Sequence, residues 1–164
     1  MIKNKNIFLE KKILIYGLGK SGIASYKFLD NKAKVYLFDD NLTKKIGNQS
    51  NQRLKNIQAI SKIKFDSIII TPGIDILECK LSRFLKKNKS KIYTDLDVFY
   101  AFYKNKCITI TGTNGKSTTA KILYEILLDQ KYDCRLVGNI GNPILCEKKL
   151  LIILFLSSKL HHIN

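Results

Sequence analysis

The length of 164 residues suits one ordinary domain or two small ones. Hydrophobic residues make up 45% of the chain and aromatic residues 10%, which is enough for a packed core and excludes a wholly disordered protein. The formal charge of +16 would suit a nucleic-acid-binding protein. Because the lysines are scattered over the whole chain beside many Ile and Asn residues, we attribute the charge to compositional drift and expect no nucleic-acid partner.

Sequence features that report on cellular compartment favour the cytoplasm. No apolar run reaches the length of a membrane span, the longest being residues 150–156, and no secretory signal follows the N-terminus. The cysteines form neither a Cys-x-x-Cys pair nor a zinc pattern, which is typical of free thiols in a reducing compartment. These cysteines are Cys79, Cys107, Cys134 and Cys146.

A glycine-rich turn follows the first predicted strand, Lys12 to Tyr16. The segment Gly17-Leu18-Gly19-Lys20-Ser21-Gly22 matches Gly-x-Gly-x-x-Gly, and we expect a helix from Ile23 to Leu29. The next strand, Lys34 to Phe38, ends in Asp39-Asp40, where a Rossmann unit places a carboxylate that binds a ribose hydroxyl. This order predicts a β-α-β nucleotide-binding unit.

The middle of the chain is predicted to extend the same parallel sheet. After a polar loop, a strand at Phe65 to Ile70 runs into Thr71-Pro72-Gly73-Ile74, and Gly73 permits close backbone approach at the ligand-facing edge. A basic helix at Leu81 to Lys87 and a short strand at Lys91 to Tyr93 complete the unit.

A further helix is predicted after Tyr93, with Thr94 or Asp95 as its N-cap. We interpret Asp95 and Asp97 as cap and surface residues and assign neither a catalytic role.

A second nucleotide motif begins after a β-branched strand that ends at Thr111. Gly112-Thr113-Asn114-Gly115-Lys116-Ser117-Thr118 is a short form of the phosphate-binding loop. Its backbone N–H groups and the following helix N-terminus favour phosphate oxygens, Lys116 would reach the outer phosphates, and Ser117 would ligate Mg²⁺. The apolar face of the helix is expected at Ala120, Leu123, Ile126 and Leu127.

Two domains follow from these motifs. The fold class is α/β, with a Rossmann-like parallel-sheet domain at residues 1–93 and the start of a P-loop ATP-binding domain at residues 94–164. The second domain contains a turn-rich segment, Gly138-Asn139-Ile140-Gly141-Asn142-Pro143, and a strand at Leu150 to Leu156. Because few strands follow the phosphate loop, we expect this domain to be truncated.

Taken in order and spacing, these motifs closely resemble the N-terminal part of the Mur ligases, the ATP-dependent ligases of peptidoglycan-precursor synthesis. The resemblance covers nearly the whole chain. Within the family, the Gly-Leu-Gly-x-Ser-Gly turn at Gly17 to Gly22 and the Thr71-Pro72-Gly73-Ile74 turn favour the D-glutamate-adding branch.

The resemblance implies a cytoplasmic enzyme that adds D-glutamate to UDP-N-acetylmuramoyl-L-alanine through an acyl phosphate, with ATP and Mg²⁺. Its Rossmann-like domain would bind the UDP of this small-molecule substrate, and its central domain would bind ATP. The implied substrate-binding residues are Gly19, Lys20 and Ser21 near the diphosphate, Asp39 and Asp40 near the uridine, Gly73 beside the nucleotide, and Asn139 at the muramoyl-alanine portion. The implied ATP-binding residues are Gly112, Thr113, Asn114, Gly115, Lys116, Ser117 and Thr118, with Lys116 on the transferring phosphate as the catalytic residue.

One departure from the family concerns the metal site. The family carries a Glu two residues before a Ser-Ser pair, whereas this chain has Phe155 before Ser157-Ser158. Phe cannot ligate Mg²⁺, and the family's later metal-site residues and C-terminal domain do not follow. We therefore expect this chain by itself to be an inactive fragment.

Other functions are compatible with parts of the pattern. Gly17 to Gly22 with Asp39 would also fit a nicotinamide-dependent oxidoreductase fragment, which leaves the second loop unexplained. A non-catalytic UDP-sugar or nucleotide-binding module is a second alternative. A P-loop partitioning or regulatory ATPase is disfavoured because its acidic strand motif does not follow.

Overall fold

The computed structural model describes residues 6–41, 52–104, 106–110, 113–138, 142–146 and 152–156, the last of these as backbone only. By backbone contacts the chain divides into one unit at Met1–Ala101 and another at Phe102–Asn164. This division lies eight residues after the boundary that motif order predicts at Tyr93. The sequence-based assignment of residues 94–164 to an ATP-binding domain remains a prediction.

The first unit contains a four-stranded parallel sheet in the order β2-β1-β3-β4. Its strands are β1 (Lys12–Tyr16), β2 (Lys34–Phe38), β3 (Ser67–Ile70) and β4 (Ile92–Tyr93). The chain moves outwards from β1 to β2 in one direction and from β3 to β4 in the other. The strand order therefore reverses between β1 and β3, and in sheets of this type ligands bind in the crevice at such a point.

Four α-helices accompany this sheet in the described part of the first unit. They are α1 (Lys20–Leu29), α2 (Ile57–Ser61), α3 (Ser82–Lys87) and α4 (Asp95–Phe102). Helix α1 starts three residues earlier than predicted, because Gly19 takes the extended N-cap position with φ −74° and ψ −169°. Lys20 and Ser21 consequently belong to the first helical turn.

The core of the first unit forms on the central strands, which are buried on both faces as expected for a parallel sheet. Leu14 and Tyr16 of β1 pair in register with Ile68 and Ile70 of β3, and all four share one buried cluster. Helices α2 and α3 add residues such as Ile60 and Leu85 to that cluster. Each such fully buried aliphatic side chain stabilises the fold by about 1.5–3 kcal/mol.

The second unit contains a three-stranded parallel sheet in the order β5-β7-β6 with one long helix. Its elements are β5 (Lys106–Ile110), α5 (Lys116–Asp129), β6 (Cys134–Gly138) and β7 (Ile152–Leu156). Of the apolar residues predicted along α5, Ala120 is fully buried, whereas Ile126 is 53% exposed. In the described ranges of both units, no helix is long and apolar enough to cross a membrane.

Candidate nucleotide-binding sites

The glycine-rich turn of the first unit lies at the point where the strand order reverses. It leaves the end of β1, next to the Thr71 turn that leaves β3. A Cβ added at Gly17, whose φ is +94°, would overlap Thr71 Oγ1, and one added at Gly22 would overlap the Gly17 carbonyl oxygen. These two glycines therefore allow the turn, helix α1 and the β3 turn to pack closely together.

Gly19 and Gly73 have a different environment from these packed glycines. No atom lies within 4 Å of a Cβ added at either position, so both border open space. Gly19 is the N-cap of α1 and supplies no side-chain cap, and the first helical N–H groups have no partner within the helix. An uncapped helix N-terminus beside open space favours an anionic group. Lys20 lies exposed in the same turn.

Asp39 holds this turn in place from the end of β2. Its Oδ2 accepts a 2.6 Å hydrogen bond from the backbone N–H of Leu18, and its Oδ1 accepts one of 2.9 Å from Asn41 N–H. The side chain is 9% exposed. Because both carboxylate oxygens bind backbone, Asp39 acts structurally on the glycine turn in this structure.

The neighbouring Asp40 joins three segments at the same sheet edge. Its Oδ1 accepts a 2.8 Å hydrogen bond from the Tyr16 hydroxyl, and its backbone carbonyl accepts one of 2.9 Å from Lys80 Nζ. Burial, together with the hydrogen bond to Asp40, raises the pKa of Tyr16 well above its usual range. Tyr16 therefore stays a neutral donor at physiological pH.

Asp95 lies in a different environment from the one that the sequence predicts. It is 4% exposed, so the assignment to the surface is wrong. Burial is the main cause that raises its pKa. A detectable signal existed, because Asp95 follows β4 at the same carboxyl edge as the other site residues.

The predicted cap role of the next acid, Asp97, is confirmed by the contacts. Its Oδ2 accepts 2.7 Å hydrogen bonds from both the backbone N–H and the hydroxyl of Thr94, and its own N–H donates to Thr94 Oγ1 at 3.3 Å. This reciprocal pair is a capping box with Asp in the acidic position. It fixes the start of α4.

The second unit places its phosphate-loop residues between β5 and α5. Gly115 is the N-cap of α5 with φ +75° and has no side-chain cap, and nothing lies within 4 Å of a Cβ added there. Lys116 Nζ donates a 3.0 Å hydrogen bond to the Thr113 carbonyl. Ser117 and Thr118 are exposed and line, with Lys121, Ile122 and Glu125, an open pocket of about 330 Å³ along the helix. Gly112 and Asn139 lie outside the described residues.

These residues suit nucleotide phosphates better than they suit a metal ion. The loop offers an uncapped helix N-terminus and a lysine, which are the donors that phosphate oxygens need. For Mg²⁺, which is usually bound by one or two carboxylates plus phosphates, the only predicted ligand is the Ser117 hydroxyl. Within the described ranges, no group of three or more His, Cys, Asp or Glu side chains could hold a metal. Phe155 lies in β7, paired in register with Thr109 and Val137.

The chain is similar to several enzymes named UDP-N-acetylmuramoylalanine–D-glutamate ligase. It is 34% identical over 147 residues to that of Rickettsia felis, a match that covers 87% of this chain and 32% of the relative. It is 36% identical over 147 residues to that of Rickettsia conorii, a match that covers 87% of this chain and 29% of the relative. It is 32% identical to that of Clostridioides difficile, over 82% of this chain and 32% of the relative. The chain thus spans about a third of the length of these relatives.

Comparison with family models and solved structures adds little. No family model matches the chain. One similar solved structure is that of the UDP-N-acetylmuramate:L-alanyl-gamma-D-glutamyl-meso-diaminopimelate ligase from Neisseria meningitides. The match covers 88% of this chain and 52% of that chain, with a TM-score of 0.47 and 14% identity. A likeness of that size carries no argument about function.

Proposed function

We propose a function for each unit on the premise that this chain belongs to the Mur ligase family and matches the N-terminal portion of its members. The first unit would bind the UDP part of UDP-N-acetylmuramoyl-L-alanine, and the second unit would bind ATP. These would be the two nucleotide-binding parts of a cytoplasmic ligase of peptidoglycan-precursor synthesis. In the complete reaction, D-glutamate would be added to the substrate's terminal carboxylate.

The uncapped N-terminus of α1 is the observation that supports the first half of this proposal. It lies at the reversal of strand order, it borders open space at Gly19 and Gly73, and it carries the exposed Lys20. A diphosphate needs several N–H donors and a nearby cation, and this turn offers both. Gly19, Lys20, Ser21 and Gly73 would therefore border the diphosphate.

The acidic pair at the end of β2 would lie near the uridine. We propose that Asp39 contributes by holding the Leu18 amide, because both of its oxygens already bind backbone. Asp40, which is only partly buried, would face the uridine more directly. Asn139 is proposed to contact the muramoyl-alanine portion, as the family resemblance implies.

The loop between β5 and α5 supports the second half of the proposal. Residues 112–118 would surround the ATP phosphates, with the backbone N–H groups at the start of α5 directed at them. Lys116 would exchange its hydrogen bond with the Thr113 carbonyl for one with the transferring phosphate. Such a cation stabilises the negative charge that builds on a moving phosphoryl group.

ATP would transfer its terminal phosphoryl group to the substrate carboxylate and leave as ADP. The amine of D-glutamate would then attack the resulting acyl phosphate, forming the amide bond and releasing phosphate. Ser117 would lie beside an Mg²⁺ brought in with the nucleotide. Among the described residues, no group of three or more His, Cys, Asp or Glu side chains could hold that metal, so the nucleotide phosphates would supply most of its ligands. For the 164-residue chain by itself we propose binding without turnover. D-glutamate-dependent release of phosphate from the purified chain would contradict that.

Isothermal titration of the purified chain with UDP-N-acetylmuramoyl-L-alanine, with NAD as the control ligand, tests the proposal. We expect binding of the UDP-sugar and none of NAD. Binding of NAD alone would support a nicotinamide-dependent oxidoreductase fragment instead, since the Gly17 to Gly22 turn with Asp39 also occurs in such proteins. A separate titration with ATP, compared between the native chain and a K116M variant, tests the second unit.

A further inference from the structure

The carboxyl end of β2 is held by contacts from two neighbouring segments of the first unit. The hydroxyl of Tyr16, the last residue of β1, donates a 2.8 Å hydrogen bond to Asp40 Oδ1. Lys80, between β3 and α3, donates a 2.9 Å hydrogen bond from Nζ to the Asp40 carbonyl. Because β1 lies between β2 and β3, the contact with Lys80 crosses the sheet edge at which β1 ends. Asp40 is therefore held at the edge where ligands of such sheets bind.

Tyr16 is the rigid member of its pair with Asp40. None of the surface of Tyr16 is exposed, and its ring packs against that of Phe38 with the centroids 5.5 Å apart. Asp40 is only partly buried, so packing restrains its side chain less. The buried hydroxyl therefore determines the direction in which the Asp40 carboxylate points.

The second carboxylate oxygen of Asp40 keeps spare acceptor capacity. Oδ2 lies 3.5 Å from the Lys80 backbone nitrogen, which is beyond the usual hydrogen-bond range of about 2.7–3.2 Å. An ionised carboxylate offers about four lone-pair sites on its two oxygens. Asp39, by contrast, uses both of its oxygens on the backbone N–H groups of Leu18 and Asn41. Within the described residues, Asp40 Oδ2 is thus the oxygen of this acidic pair that is best able to accept a further hydrogen bond.

We propose that Tyr16 is a positioning residue for the nucleoside: its hydroxyl fixes Asp40 Oδ1 so that Oδ2 accepts a hydrogen bond from the uridine. The inference rests on the proposed function of the first unit and names the group that orients the acid at the uridine. The donor is either the uracil N3–H or a ribose hydroxyl, and a carboxylate oxygen accepts from both. Because the carboxylate is oriented before the ligand arrives, binding avoids the entropic cost of ordering it.

Titration of the full chain with UDP tests the inference through Y16F, which removes only the hydroxyl of Tyr16. We expect Y16F to raise the Kd for UDP about fivefold and D40A to raise it about tenfold. Since Tyr16 acts through Asp40, Y16F should add no further loss in the D40A background. Inorganic pyrophosphate, which lacks the nucleoside, should bind every variant alike. Y36F is the matched control and should stay within about twofold, because it removes the hydroxyl of a partly buried tyrosine of β2 whose ring packs on Phe65.

The variant D40N keeps the test decisive if Y16F or D40A does not fold. The amide oxygen of D40N still accepts from the Tyr16 hydroxyl, whereas the amide NH₂ group puts a donor in the place of Oδ2. We therefore expect a Tm close to that of the native chain together with about a tenfold loss of UDP affinity. Native UDP affinity in D40N would overturn the inference.

Two analogues distinguish the donors of the uridine. CDP has no N3–H and 2′,3′-dideoxy-UDP has no ribose hydroxyl, so the fivefold effect of Y16F should vanish with one of them. An equal effect with both analogues, native UDP affinity in Y16F, a further loss in the D40A background or weaker pyrophosphate binding would overturn the inference. Failure of the native chain to bind UDP would overturn the proposed function of the first unit as well, whereas native UDP binding with an unchanged Y16F overturns the inference alone.

Discussion

Substitution by alanine is expected to lower the unfolding free energy at one glycine of this motif and to leave it almost unchanged at another. At Gly22 an added Cβ would overlap the Gly17 carbonyl oxygen and lie 3.1 Å from Thr71 Cγ2, so backbone would have to move. Overpacking of this kind costs roughly 1–3 kcal/mol, and overlap with a backbone atom belongs at the upper end. Alanine regains about 1 kcal/mol of helix propensity. The G22A variant should therefore lose about 2 kcal/mol of unfolding free energy.

Gly19 provides the matched control for this substitution. Its φ of −74° suits any residue, and nothing lies within 4 Å of an added Cβ. We expect G19A to stay within about 0.5 kcal/mol of the native unfolding free energy. The same Cβ would occupy the space proposed for the diphosphate, so the affinity for UDP should fall about tenfold.

Thermal unfolding by circular dichroism, followed by UDP titration, measures both effects. A loss of about 2 kcal/mol corresponds to a drop in Tm of roughly 10 °C for a domain of this size. The reasoning would be refuted if G22A melted with the native chain, or if G19A lost as much stability as G22A. Native UDP affinity in G19A would refute the placement of the diphosphate at the open side of the turn.

Three further substitutions test single contacts. D39A removes the acceptor of the buried Leu18 amide and should lower the unfolding free energy by about 1.5–3 kcal/mol in urea titrations, and an unchanged midpoint would contradict the structural role. K116M should weaken ATP binding about tenfold in calorimetry with little change in Tm, because the hydrogen bond from the Lys116 ammonium group to the Thr113 carbonyl is solvent-exposed. Equal ATP affinity would remove the loop from the proposal. Burial raises the pKa of Asp95 above its unfolded value of 3.8, so the native chain loses stability as pH rises through the folded-state pKa. The unfolding free energy of D95N relative to native should accordingly increase as the pH rises above 3.8, and a difference that does not vary with pH would count against the burial of this acid.

Elements with strong local patterns were predictable from the sequence. The bounds of β1 and β2 match the apolar runs at Lys12–Tyr16 and Lys34–Phe38, because buried parallel strands are continuous hydrophobic segments between turn residues. The capping box at Thr94 and Asp97 was likewise visible, since it depends on a spacing of three residues.

Features that depend on tertiary contacts could not be predicted. The sequence around Asp95 suggests an ordinary helix start, whereas in the folded unit this acid is only 4% exposed. The exposure of Ile126 is a similar case, because the apolar spacing along α5 does not reveal how much of its surface a neighbouring element covers. The different roles of Gly19 and Gly22 also become visible only when the packing of the Thr71 turn is known.

Backbone amide mapping by nuclear magnetic resonance during titration with UDP would test the central claim most directly. The account predicts that the largest shifts fall on the amides of Gly19, Lys20, Ser21 and Gly22, with a smaller change at Gly73. The amides at the start of α5 should respond to ATP in a separate titration and stay unchanged with UDP. UDP shifts confined to residues 113–119, or the absence of any shift in the first turn of α1, would contradict the account.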